Sequence, residues 1–306
     1  MDKIKIIAVV GPTASGKTAL AVRLAQHFDG EVISADSMQI YKGMDIATAK
    51  PDAEEMMVIP HHLIGFLDPG ESFSVSDYCK AAHEIARDIA ARGHMPVLCG
   101  GTGLYVRSFL ENVTFAEDKC DPALRDELNR RYEQEGGETL LRELAAFDPE
   151  TAAALHPSNS KRIIRAIEIY KTTGVTMSQA VARSHDNPSP YDVTAIGLTF
   201  ADRSRLYERI DRRVDVMVQS GLIEEAKSFY QKNVGKTAAA AIGYKELRPY
   251  LDGEVTLEAA LDRLKTETRH YAKRQLTWFR RDEYINWIEV DRCSDVFEAA
   301  IKIIGQ

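Results

Sequence analysis

Apolar and polar positions fall into short blocks along roughly the first third of the chain, and the period changes from block to block. Ile4-Lys5-Ile6-Ile7-Ala8-Val9-Val10 is an almost unbroken apolar run, which predicts a strand covered on both faces. Ala19-Leu20-Ala21-Val22-Arg23-Leu24-Ala25 has helical composition and period. Glu31-Val32-Ile33-Ser34 predicts a second strand and His62-Leu63-Ile64-Gly65-Phe66 a third. From Ser76 to Arg92 the apolar face of a helix is made by Tyr78, Ala81, Ala82, Ile85 and Ile89, with Gly93 just past its end. Met95-Pro96-Val97-Leu98-Cys99 predicts a fourth strand, closed by Gly100-Gly101-Thr102-Gly103. Such alternation implies the α/β class: a parallel sheet flanked by helices. Ligands of these sheets bind beyond the carboxyl ends of the strands.

Near residue 118 the pattern becomes almost purely helical. Helices are expected at Pro122–Gln134, Glu138–Phe147, Ser160–Thr173 (stopped by Gly174) and Thr176–Ser184. Asp186-Asn187-Pro188-Ser189-Pro190 reads as a linker. Val193–Thr199 returns to strand character, and the rest is helical apart from a last strand at Ile285–Val290. The expected organisation is a core of residues 1–118 and 190–306, interrupted by an all-α insertion at 119–189.

Between the first strand and the first helix lies Gly11-Pro12-Thr13-Ala14-Ser15-Gly16-Lys17-Thr18, which meets G-x-x-x-x-G-K-[ST] at every fixed position. Strand, glycine loop and helix together make a phosphate cradle. Its glycines let backbone N–H groups approach an anion. Lys17 adds a charge, and the Thr18 hydroxyl is the expected magnesium ligand. The sheet is therefore expected to be of the P-loop NTPase-like kind. The motif alone does not say which phosphate it holds.

Asp36, at the end of the second strand, is expected near that phosphate, able to hold a metal through water or to accept a proton. An ordinary turn or N-cap aspartate is the alternative. Thr102 follows the fourth strand and would face the same crevice. His61 and His62 are adjacent on a strand, so they point to opposite faces and do not suit a shared metal. Trp278 and Trp287 read as core or groove wall.

Composition narrows the partners. The chain has 306 residues, 44% hydrophobic and 28% charged, ordinary for a globular protein. No apolar run is long enough to span a bilayer. The N-terminus enters the first strand directly, and Cys79, Cys99, Cys120 and Cys293 are far apart, so a reducing cytoplasm is expected, with neither disulfides nor zinc. A net charge of −7 argues against a nucleic-acid partner until its distribution is considered. Arg203, Arg205, Arg209, Arg212 and Arg213 cluster, as do Lys161, Arg162 and Arg165. Arg209 and Arg213 flank Glu208 and Asp211, as on a solvated helix face. Residues 269–281 carry Arg269, Lys273, Arg274, Arg280 and Arg281 with few acids, which suits a polyanion.

These motifs, with Asp36-Ser37-Met38-Gln39-Ile40-Tyr41, Thr48-Ala49-Lys50-Pro51, Ala241-Ile242-Gly243-Tyr244-Lys245-Glu246 and Lys273-Arg274-Gln275-Leu276-Thr277-Trp278-Phe279-Arg280, resemble the bacterial tRNA dimethylallyltransferases (tRNA isopentenyltransferases) over nearly the whole chain. The resemblance implies transfer of a dimethylallyl group from dimethylallyl diphosphate to the exocyclic amine of the adenosine 3′ of the anticodon, in tRNAs that read codons beginning with U. It implies that the glycine loop, Gly11 to Thr18, holds the donor's diphosphate, and that Arg213 reaches the same group, with Arg209 and Arg212 close enough in sequence to be the contact instead. Asp36 would take the amine's proton and Thr102 would orient the base or the donor's bridging oxygen. Asp36, Ser37, Met38, Gln39 and Thr102 would contact the tRNA around the target base. Lys161, Arg162, Ile163, Ile164 and Arg165 on the insertion, and Lys273, Arg274 and Arg280, would grip the anticodon stem-loop. Mg²⁺ on Thr18 is the implied cofactor, and a cytoplasmic monomer the expected state. An adenylate isopentenyltransferase, a P-loop kinase and a non-catalytic RNA-binding protein are the competing readings. Against a kinase, Val97-Leu98-Cys99-Gly100-Gly101 carries no acid of the kind that usually holds magnesium.

Overall fold

The computed structural model describes residues 3–51, 56, 58–115, 121–232 and 234–305. Two compact units divide it: residues 1–110 with 190–306, and residues 111–189. The expected boundary at 118/119, and Cys120, lie outside the described residues.

The larger unit is built on a six-stranded sheet of β1 (Ile4–Val10), β2 (Gly30–Ser34), β3 (His61–His62), β4 (Met95–Gly100), β5 (Tyr191–Thr199) and β6 (Ile285–Glu289). The order is β3-β2-β4-β1-β5-β6 and every pairing is parallel. Ile6 to Val10 are all buried, as a central strand covered on both faces requires. Val10 pairs with Gly100 on one side and Gly197 on the other. Because β2, β4 and β1 are neighbours, the loops leaving their carboxyl ends lie side by side. This adjacency positions the site.

Helices α1 (Lys17–His27), α2 (Val75–Ala91) and α3 (Gly103–Leu110) belong to this unit's first segment. Leu20, Ala21, Leu24 and Ala25 of α1 pack on the sheet with Val9, Val97 and Ile196. A capping box of Ser74 and Asp77 starts α2, and Gly93 follows it at φ +84°. The expected third strand, His62–Phe66, forms only as the shorter β3: His61 and His62 pair with β2, and the strand goes no further. Leu63 (φ +61°) and Gly65 (φ +60°) take left-handed conformations that turn the chain away. The N–H groups of Gly65, Phe66 and Leu67 then bond to Gln39 and Ile40, bracing the loop after β2.

The smaller unit holds α4 (Pro122–Glu135), α5 (Gly137–Ala145), α6 (Pro149–Ala153), α7 (Ser160–Thr173) and α8 (Met177–Ser184). Asp121 caps α4, and Gly174 at φ +72° ends α7. The pattern did not predict α6, although Asp148-Pro149 is a helix start signal, with the Asp148 carboxylate accepting from Thr151 N. Leu128, Leu140, Leu144, Ile163, Ile164 and Ile167 form this unit's core.

The larger unit continues with α9 (Arg203–Gln219), α10 (Leu222–Tyr230), α11 (Lys236–Ala239), α12 (Tyr244–Leu251), α13 (Leu257–Phe279) and α14 (Val296–Ile304). Phe297, Ile301 and Ile304 of α14 pack against the cluster that includes α1 and the sheet. Among the described residues no helix is long and apolar enough to cross a membrane.

Candidate active site

The glycine loop turns at Gly11 (φ +150°), where a Cβ would stand 2.8 Å from the Leu198 carbonyl oxygen. Gly16, at φ +93°, is the N-cap of α1, so the helix opens directly onto the loop. Lys17 Nζ donates to the Pro12 carbonyl at 3.4 Å. Among the described residues the buried Ser15 hydroxyl has no hydrogen-bond partner, which leaves a donor available to an anion. From α9, Arg209 Nε donates to the Ala14 carbonyl at 2.9 Å and Arg213 to the Thr13 hydroxyl at 3.2 Å. The expectation of a solvated face for these two arginines is thus corrected. Asp211, on the next face, pairs with Arg269 instead at 2.9 Å.

Cations crowd this loop. Desolvation lowers the Lys17 pKa; Cys99 and Asp36 oppose that and Arg213 adds to it. Arg213 is likewise lowered by desolvation, with Asp36 opposing and Arg209 adding. An arrangement that disfavours its own positive charges is completed by an anion.

Asp36 Oδ1 accepts from Met38 N at 2.9 Å and Gln39 N at 3.3 Å, so the turn reading of this aspartate holds. Among the described residues Oδ2 carries no hydrogen bond, and Asp36 lines the same cavity as Lys17 and Thr18. Thr102 lies behind it. Its Oγ1 accepts from Ser37 N at 3.0 Å and donates to the Ser37 hydroxyl at 3.3 Å. Gly100 permits this approach of β2 and β4: a Cβ there would be 2.2 Å from the Ala35 carbonyl oxygen. Gln39 fixes the next wall, its Nε2 donating to the Thr48 and Ala49 carbonyls at 3.2 and 3.1 Å. Glu225 accepts from Asp45, Ile46 and Ala47 N–H groups at 2.8–2.9 Å and from the Tyr244 hydroxyl, which anchors that loop.

The resulting cavity has a volume of about 850 Å³ and lies within the larger unit. Its polar lining includes Lys17, Thr18, Asp36, Arg209 and Arg213. Its apolar lining includes Met38, Ile210, Val214, Met217, Leu222 and Leu264. Thr13, Ala14, Gly16, Ser37, Gln39 and Arg274 also line it. The available ligands for a cation are hard oxygens, the Thr18 hydroxyl and the Asp36 carboxylate. Among the described residues no group of three or more His, Cys, Asp or Glu could hold a metal. That donor set fits magnesium taking its remaining ligands from a substrate and water.

Two contributors were not singled out from sequence, and a third, Arg209, is expected there only as an alternative to Arg213. Gln275 bridges the loops after β1 and β4, Tyr271 lines the cavity, and Arg209 supports the glycine loop. Burial pushes the Tyr271 phenol pKa up. The available signal was a stripe on α13, Leu264, Thr268, Tyr271 and Gln275, at helical spacing.

Lys273 and Arg274 line a second cavity of about 510 Å³ with His270, Thr277, Trp278 and Arg281. Arg280 is exposed and lines neither cavity. Trp278 packs on Gly103, and Trp287 on Gly197, as wall and core. In the smaller unit Lys161 and Arg162 are exposed. Ile163 and Ile164 are not available to a partner: they are 0% and 5% exposed, on the apolar face of α7. Arg165 spends its charge on the buried Glu168 at 2.9 Å. His61 and His62 bond to the Ile59 carbonyl and Glu31.

Comparison with known proteins follows the same outline. Residues 39–282 match the family model described as IPP transferase, and residues 4–61 one described as isopentenyl transferase. The chain is 50% identical over 289 residues to a protein named tRNA dimethylallyltransferase from Bacillus subtilis (strain 168), covering 94% of this chain and 91% of that one. A namesake from Halalkalibacterium halodurans is 49% identical, with 94% and 92% covered. The crystal structure of a full-length tRNA isopentenylpyrophosphate transferase from Bacillus halodurans superposes with a TM-score of 0.73 at 47% identity, covering 99% of this chain and 95% of that one. That of a eukaryotic dimethylallyltransferase acting on tRNA gives 0.84 at 30% identity, covering 99% and 79%.

Proposed function

The chain belongs to the IPP transferase family of tRNA dimethylallyltransferases, and from that premise we propose that its 850 Å³ cavity joins dimethylallyl diphosphate to the N6 amine of the adenosine 3′ of the anticodon. The observation that carries this reading is the cavity's mixed lining. Lys17, Arg209 and Arg213 suit a diphosphate; Met38, Val214, Met217 and Leu222 suit a short hydrocarbon.

In the reaction the amine nitrogen forms a bond to the allylic carbon while the carbon–oxygen bond to the diphosphate breaks. The electron pair leaves with diphosphate, and the Lys17 ammonium, the Arg213 guanidinium and loop N–H groups stabilise the charge that builds there. The amine's proton passes to Asp36, whose Oδ1 is fixed by the Met38 and Gln39 amides, leaving Oδ2 to act as the base. Thr102 holds Ser37 and so the turn that carries Asp36. Magnesium would be held by Thr18, with Asp36 reaching it through water, and when bound it adds positive charge for the leaving group. The target base leaves the anticodon-loop stack to enter the site. Exposed Lys161, Arg162, Lys273, Arg274 and Arg280 are assigned to the RNA backbone.

The test is a nucleoside digest read by mass spectrometry, after anticodon stem-loop RNA is incubated with enzyme, dimethylallyl diphosphate and Mg²⁺, with AMP and ATP as parallel acceptors. A dimethylallyl increment on one adenosine of the RNA supports the reading. An increment on free nucleotides alone overturns the tRNA assignment, and no increment with ATP consumed overturns the donor.

A further inference from the structure

Gln275 is a polar side chain in the buried stripe of α13, only 5% exposed. Its Oε1 accepts from the backbone N–H of Thr13 at 2.8 Å, and its Nε2 donates to the Gly101 carbonyl at 3.0 Å. One carboxamide thus joins the phosphate loop after β1 to the loop after β4 that carries Thr102. The amide offers an acceptor and a donor at once; a carboxylate has no donor and an aliphatic side chain has neither. Glycine at 101 makes room for it, since a Cβ there would stand 2.1 Å from Gln275 Nε2. Thr13 is held twice, its amide by Gln275 and its hydroxyl by Arg213 at 3.2 Å. Peptide planes in a phosphate cradle bind by direction, so the member turned onto Gln275 sets how the following N–H groups point.

We propose that Gln275 is a positioning residue for the donor: by tying Thr13 to Gly101 it sets the phosphate loop against the Thr102 loop, and it acts on diphosphate binding rather than on RNA binding. The proposal rests on reading the cavity as the diphosphate-donor site. It is tested in the full-length enzyme with Gln275→Met, which keeps the length and loses both bonds, and Gln275→Glu, which keeps the acceptor for Thr13. Binding of inorganic diphosphate is measured by calorimetry, RNA binding by fluorescence anisotropy, and KM for dimethylallyl diphosphate from initial rates.

Gln275→Met should raise the diphosphate Kd and the donor KM about ten-fold, which is about 1.4 kcal/mol. RNA affinity should stay at its wild-type value, and Gln275→Glu should fall between. Gly101→Ala should weaken donor binding by displacing the amide, yet add little in a Gln275→Ala background, where nothing is left to displace. Unchanged diphosphate affinity in Gln275→Met would overturn the proposal. So would equal losses for donor and RNA that follow a falling melting temperature, or additive effects of Gly101→Ala and Gln275→Ala. Should Gln275→Met not fold, Gln275→Glu and the Gly101 pair decide by the same criteria. A wild-type enzyme that binds diphosphate but forms no product faults the reaction assigned above and leaves the diphosphate readout intact.

Discussion

Replacing Lys17 by methionine should remove the donor site's strongest handle while leaving the ligand-free protein at least as stable. Desolvation holds the ammonium below the ordinary lysine pKa, and the neighbouring Arg213 adds to that. Without a ligand the charge therefore works against the fold, and methionine keeps much of the stem's packing without it. With a ligand the sign reverses. Opposite charges about 4 Å apart attract by about 4 kcal/mol at an effective dielectric of about 20. Opposing Asp36 and water reduce this, so a loss of about 2.7 kcal/mol, roughly a hundred-fold in donor affinity, is expected. Thermal denaturation reads both effects. Donor at about 100 times the wild-type Kd stabilises the wild type by about 2.7 kcal/mol, but a variant with a hundred-fold weaker Kd by only about 0.4 kcal/mol. At about 2–4 °C per kcal/mol for large domains, the wild type should shift by about 5–10 °C and the variant by about 1 °C. Since the protonated amine is the binding form, wild-type donor affinity should fall as pH rises through the depressed Lys17 pKa. A Lys17→Met protein that keeps the wild-type ligand shift would refute the location of the diphosphate. One whose ligand-free form melts far below wild type would refute the electrostatic argument.

Asp36→Asn keeps the turn's acceptor and removes the base, so kcat should drop about 10²- to 10⁴-fold with donor KM little changed; a loss under ten-fold in single-turnover rates would rule Asp36 out as the base. Lys161→Ala with Arg162→Ala should weaken RNA binding at low salt and flatten its salt dependence, whereas Ile163→Ala should cost about 2–5 kcal/mol of stability in the smaller unit, checked by urea denaturation. Glu31 is held to a pKa of about 2 against an ordinary 4.5, first by the Arg92 hydrogen bonds and then by His62, with burial opposing. Its contribution is complete above pH 4.5 and is lost as pH falls from 4.5 towards about 2, so acid unfolding followed by circular dichroism should begin at a higher pH in Arg92→Met.

The elements legible in the sequence are those whose burial pattern is local. The run Ile4–Val10 announces a central strand because both its faces are covered, and Ser160–Thr173 ends where Gly174 can adopt φ +72°. The third strand stops short of its expected length because Leu63 turns left-handed, a conformation its side chain does not advertise. Ile163 and Ile164 were grouped with Lys161, Arg162 and Arg165 by adjacency, whereas helical rotation sends the isoleucines inward and the lysine and first arginine outward. Within the site, Lys17 and Asp36 were legible because each closely follows a strand. Gln275 and Arg209 come from helices far along the chain, and their roles are set by contacts at sequence separations of 262 and 195. No spacing rule covers such distances.

The balance of charge around the loop also bears on which chemistry it serves. A site that transfers a phosphoryl group to an acceptor places acids at the strand end beside the loop, to hold magnesium on the nucleotide. Here that strand, β4, ends in Cys99-Gly100, and Asp36 comes from the neighbouring strand, with one oxygen committed to its own turn. Cations outnumber acids at the loop, and two of them, Lys17 and Arg213, are depressed by desolvation. Such a surplus also serves phosphoryl transfer, so the missing acid and not the surplus separates the two chemistries. The surplus does much for a diphosphate that gains charge as it departs, because preorganised cations interact more strongly with the product than with the ester. The same surplus predicts that inorganic diphosphate binds more tightly than dimethylallyl diphosphate and competes with it. Comparing the two in calorimetry would show this directly, and equal or reversed affinities would mean that the loop recognises the ester rather than the leaving group.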